Sequence, residues 1–104
     1  MKKVIRNNKV AVLISHGFGA GWYTSNEEQE VLLYHPKLVD MVEQNRANEI
    51  NEEWVLENLK IKNVYCGGAE DLQIHWITVG TSFSVDEFDG AESLRTLEDL
   101  ILIA

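Results

Sequence analysis

The chain has 104 residues, enough for one domain with one core and too few for two independently stable ones. With 45% hydrophobic and 25% charged residues it has a globular composition, which excludes wholesale disorder. A net charge of −8 opposes the phosphate backbone of a duplex and excludes general DNA binding.

Cys66 is the single cysteine, so no intramolecular disulfide can form and a cytosolic setting is expected. The start "MKKVIRNNKVAVLIS" has a basic head, but its apolar run is shorter than a signal-peptide core and far below a membrane span, so no membrane association is expected. Charge is uneven. Lys2, Lys3, Arg6 and Lys9 make the first ten residues basic, whereas from Gly67 onward eight acids face one base, Arg95. A basic arm on an acidic body points to contacts between chains, the alternative being ordinary solubility.

In chain order, "KKVIR" and "KVAVLIS" read as two strands turned at "NN", because Asn tolerates the left-handed backbone of a tight hairpin. "VAVLIS" does not alternate, so this strand is expected to be covered on both faces. A glycine loop follows, and then Ser25 with Glu28 fits a capping box for a helical turn. "HPKLVDMVEQNR" predicts a helix with Pro36 in its first position and Leu38, Met41 and Val42 on one face. Asn51 is placed to cap a second helix, "EEWVLENL", with Trp54, Val55 and Leu59 as its buried stripe. "IKNVYC" reads as a short strand, and "DLQIHWITV" alternates with Leu72, Ile74 and Trp76 on one face and Gln73 and His75 on the other. "VGT" is a tight turn, "TSFSVDEF" alternates with Phe83 and Val85 buried, and Asp89–Gly90 reverses the chain before "AESLRTL". The tail "LEDLILIA" is apolar enough to need cover, either in the core or in an oligomer interface. The expected architecture is a single α+β domain over 1–104, with a mainly antiparallel sheet and two helices between an N-terminal hairpin and a C-terminal β meander.

The stretch "HGFGAGWYT" carries the chemistry. Glycines let a backbone approach a ligand closely and turn successive N–H groups into a concavity that holds an anion without any lysine. The spacing matches neither the dinucleotide fingerprint nor the phosphate loop, so a packing turn is the competing reading. His16, Gly17, Phe18, Gly19, Ala20, Gly21, Trp22 and Tyr23 are the candidate ligand contacts: glycine amides for phosphate, an aromatic to stack a base, and His16 for charge. Gly67 and Gly68 in "CGGAED" also follow an apolar segment, and two such strand ends lying side by side would frame one pocket. Arg95 is the arginine expected to join them, with Arg6 and Arg46 as further candidates for phosphate.

A catalytic Cys66 would need His16 or His75 as its base, and its spacing matches no nucleophile signature. His16, His35 and His75 are scattered, with no metal-ligand spacing. No cofactor is expected.

The segments "VAVLISHGFGAGWYT", "LLYHPKLVDMVE" and "VYCGGAEDLQIHWITVGTSFSVDEFDG" resemble a family of small, mostly uncharacterised tailed-phage and prophage proteins. The resemblance implies a protein made in the host bacterial cytoplasm during infection, among a pool that includes inhibitors of bacterial immunity. Some of those act as sponges for cyclic nucleotides or ADP-ribose derivatives. No catalytic residue carries over. The resulting expectation is a non-enzymatic, homo-oligomeric protein that sequesters a small phosphorylated or nucleotide-derived ligand. The alternative is an acidic interaction module that inhibits a host protein.

Overall fold

The computed structural model describes residues 2–18 and 21–96. Strands β1 (Ile5–Arg6) and β2 (Lys9–Ser15) form the expected hairpin, and Asn7 and Asn8 take φ values of 51° and 62° in its two-residue turn. Three helices follow: α1 (Val31–Tyr34), α2 (Pro36–Glu43) and α3 (Glu52–Leu59). Pro36 opens α2, as its fixed φ and missing N–H favour. Asn51 caps α3 by accepting the Trp54 amide at 2.8 Å. Strands β3 (Leu72–Thr78), β4 (Phe83–Phe88) and β5 (Ala91–Thr96) complete the described chain.

The architecture is α+β with antiparallel pairing throughout. Among the described residues the strands form a three-stranded sheet, β1-β2-β3, and a separate two-stranded ribbon, β4-β5. Strand β2 lies between two layers, which explains why its sequence does not alternate. Ala11 and Leu13 pack into the helical layer with Leu38, Val39, Met41 and Val55. Val12 and Ile14, on the other face, pack with Leu33, Tyr34 and Ile77 under the ribbon's Phe83, Val85 and Leu94. Asp89 and Gly90, at φ 54° and 87°, turn the ribbon as its "DG" predicts.

Three expectations need correction. "IKNVYC" is not a strand: Asn63 sits in the left-handed region, at φ 61°, and the Tyr65 amide donates to the Asn26 side chain instead of to a neighbouring strand. Ser25 and Glu28 do not open a helix, because Glu27 and Glu28 themselves have positive φ and α1 begins only at Val31. The C-terminal strands are not a continuous meander: after the Gly80 turn β4 leaves the edge of β3 and crosses to the ribbon layer. The tail beyond Thr96 lies outside the described residues.

Part of the basic arm folds back on its own chain. Arg6 makes a bidentate pair with Glu43, at 2.6 and 2.8 Å, and lies over the Trp76 ring, while Lys3 sits 4.2 Å from the centre of the Tyr34 ring.

Candidate functional site

The glycine loop leaves the end of β2 and does gather backbone donors around an anion. That anion is the protein's own Glu92. The Ser15 amide donates to Glu92 Oε1 at 3.0 Å, and the Trp22 amide, the Thr24 amide and the Thr24 hydroxyl donate to Oε2 at 3.0, 2.8 and 2.7 Å. Glu92 is 1% exposed, so these charge-assisted bonds offset the cost of bringing a carboxylate out of water. The carboxylate comes from β5 and ties the ribbon to both ends of the loop.

The two glycine turns lie side by side, as their sequence positions suggest. The Ser15 hydroxyl donates to the Gly68 carbonyl at 2.7 Å, and a Cβ at Gly68 would collide with the Gly21 carbonyl and Ser15 Oγ. Gly21 is needed for a second reason, its φ of 111°. Asn26 fixes the same junction: its amide nitrogen donates to the Trp22 and Tyr65 carbonyls, at 2.7 and 2.9 Å. Gly17 is closed over by Asp71, whose carboxylate occupies the place a Cβ would take, and the Tyr65 ring lies over Gly67 in the same way.

The remaining candidates separate into those at this junction and those away from it. Trp22 is fully buried and its indole Nε1 donates to the Leu32 carbonyl at 2.8 Å, so its ring belongs to the core and cannot stack on a ligand. Tyr23 is half-buried between the two core clusters, and burial, followed by the charges of Glu28 and Glu30, raises its phenol above the ordinary value. Phe18 is 76% exposed and is the loop's accessible aromatic. Gly19 and Ala20 lie outside the described residues. Arg95 is not at the junction: strand alternation puts it on the opposite face of β5 from Glu92, where it pairs with Asp86.

His16 and His75 meet at the other side of β2's end. Their Nε2 atoms are 2.8 Å apart and their ring centres 5.0 Å apart. That nitrogen separation is the length of an N–H···N hydrogen bond, in which one ring donates and the other accepts according to tautomer. Burial, then the neighbouring His16, holds the His75 imidazole below its ordinary value. Among the described residues no group of three or more His, Cys, Asp or Glu side chains converges for a metal.

His75 also forms the end wall of a groove of about 600 Å³ between β3 and the ribbon. Its described lining includes Trp76, Thr78, Thr81, Ser82, Leu94 and Thr96, and among the described residues it includes no Asp, Glu, Lys or Arg. In so acidic a chain such a stretch of wall is locally less repulsive to an anion.

Burial, then the charge of Glu52, pushes the Cys66 thiol up to about 11, and Sγ contacts its own loop's Val64 carbonyl. Among the described residues no helix is long and apolar enough to cross a membrane.

Sequence reasoning missed Glu92, the histidine pair and the groove. Glu92 had one legible signal, an acid at an inward position of an alternating strand, in phase with Leu94. No protein family, curated protein or solved structure matches this chain.

Proposed function

We propose that the protein is a non-enzymatic binder that sequesters a small phosphorylated or nucleotide-derived ligand. The observation that carries this reading is the groove beside His75: its volume falls in the range of small-molecule sites, its wall is rich in Ser and Thr, and among the described residues it bears no carboxylate. The donors around Glu92 are already taken, so the glycine junction is not the ligand's phosphate cradle. The high pKa of Cys66 agrees with binding without chemistry. The resemblance to phage proteins directs the ligand toward a bacterial immune signal, a cyclic nucleotide or an ADP-ribose derivative, bound in the host cytoplasm by a homo-oligomer. Calorimetry with a panel of cyclic dinucleotides and cyclic ADP-ribose isomers tests it. Saturable heat with at least one member is expected, and silence across the panel rejects the reading.

One observation favours the alternative of a protein-inhibiting module. Phe18 and Phe88 are 76% and 78% exposed, and the Gly90 carbonyl, two residues from Phe88, lies beside Gly21, three residues from Phe18. Affinity purification from bacterial lysate separates the readings: a stoichiometric host polypeptide lost on Phe18→Ser supports the module, and a retained small molecule supports the binder.

A further inference from the structure

The histidine pair has a proton-linked chemistry that follows from its geometry. With no net charge, one ring donates Nε2–H and leaves its Nδ1 bare, while the other accepts through Nε2 and carries its hydrogen on Nδ1. A proton from solvent can add to the bare Nδ1. The Nε2–H···Nε2 bond survives, becomes charge-assisted, and both Nδ1 atoms are then donors. A second proton would set two N–H groups against each other at 2.8 Å and break the pair. The pair thus takes up one positive charge without rearranging.

Among the described residues, no carboxylate forms an ion pair with either ring. Glu92, on β5, has its carboxylate committed to four donors from β2 and the loop. Asp71 contributes its carbonyl to the His16 amide at 3.4 Å, and its carboxylate lies against Gly17. Arg95 and Asp86 neutralise each other on the ribbon's outer face, and Arg6 and Glu43 pair beside Trp76. Toward the groove, the next groups along are hydroxyls.

Building on the ligand-binding reading above, we propose that His75, held by its bond to His16, is the anion-recognition element of the groove, contacting a phosphate or diphosphate group of the ligand while the pair takes up one proton. The rest of the ligand then runs along β3 past Thr78 toward Thr81 and Ser82. An acidic protein gains in this way a cation that exists chiefly when the ligand is present, with no arginine in the wall.

The test uses the full chain with two probes, inorganic pyrophosphate and ADP-ribose, followed by histidine side-chain NMR and by calorimetry at pH 6 to 8 in buffers of different ionisation enthalpy. Either probe should move the ring-nitrogen signals of His16 and His75. Binding should take up as much as one proton and weaken by up to tenfold per pH unit as pH rises. His75→Gln should lower affinity at least tenfold at pH 6 and flatten the pH dependence. Binding of either probe with unchanged histidine signals, or with affinity flat in pH, overturns the inference while leaving a binder of another geometry. If neither probe perturbs the pair, the inference also fails, and the nucleotide panel alone then decides whether the protein binds a small ligand. A His75→Gln chain that binds as tightly as the parent is equally fatal to it, and the NMR readout on the unmodified protein stands independently of whether that variant folds.

Discussion

The glycine loop leaves the end of β2 and the groove lies along the second half of β3, the two linked by the His16–His75 contact. They differ in where the chain's acids fall. At the loop a carboxylate from β5 enters the concavity and uses its donors for folding. At the groove the ribbon presents Leu94 and Thr96, and the described lining, His75 included, contains no acid. A nest of amides is therefore not in itself a ligand site. It becomes structural or functional according to whether the fold delivers its own anion to it.

The sharpest way to break the comparison is Glu92→Ala. It leaves buried donors at Ser15, Trp22 and Thr24 without an acceptor, so a loss of about 3–5 kcal/mol in urea unfolding is expected. Acetate at high concentration should restore part of that loss by entering the vacated nest. A loss below about 1 kcal/mol would mean that the carboxylate does not hold the loop. Next comes Gly68→Ala, whose Cβ meets backbone at Gly21 and would force the two turns apart; about 2–3 kcal/mol of destabilisation is expected from thermal unfolding. At the groove, by contrast, little of the fold is at stake. Arg95→Ala removes an exposed ion pair with Asp86, should change stability by less than about 0.5 kcal/mol, and should leave ligand affinity unaltered. A large loss of binding on that substitution would put the ligand on the ribbon's outer face instead.

The parts of the fold legible in the sequence are those fixed by neighbours along the chain. The Asn7–Asn8 turn, Pro36 at the start of α2, the Asn51 cap and the Asp89–Gly90 reversal each depend on the backbone preference of one or two residues. "IKNVYC" failed because its partner is not local: Asn26, 39 residues away, takes the Tyr65 amide that a strand would have used. Of the site, the side-by-side glycine turns were readable as two loops after apolar segments. Trp22 was not separable from Tyr23 or Phe18 by residue type, and only the fold shows that the Leu32 carbonyl captures its indole. Nothing in the spacing of His16 and His75 reveals that their rings touch, because the contact depends on the β2–β3 register, in which Val12 faces His75.

The smallest expected effect is a pH trend that joins both regions to the helical layer. His75 is held below its ordinary value by burial and then by His16, and His35 by burial and then by the charge of Lys37. His35 has a structural reason to stay neutral, since its Nδ1 accepts the Lys37 amide at the start of α2. Because both groups bind protons more readily when unfolded, the unfolded state gains protons first as pH falls. Their contribution to stability is present above the ordinary histidine range near 6.5 and is lost as pH drops through that range toward their lower folded values. Urea midpoints should therefore decline modestly between pH 7 and pH 5, before the carboxylates paired with Arg6 and Arg46 are protonated. Replacing His35 with Asn, which can still accept the Lys37 amide, should remove the helical share of the decline and leave that of the pair. If the anion-bound pair is stabilised by its proton, adding pyrophosphate should reduce the remaining slope, because the folded state then takes up the proton that only the unfolded state bound before. A slope unchanged by both manipulations would place the titrating groups elsewhere.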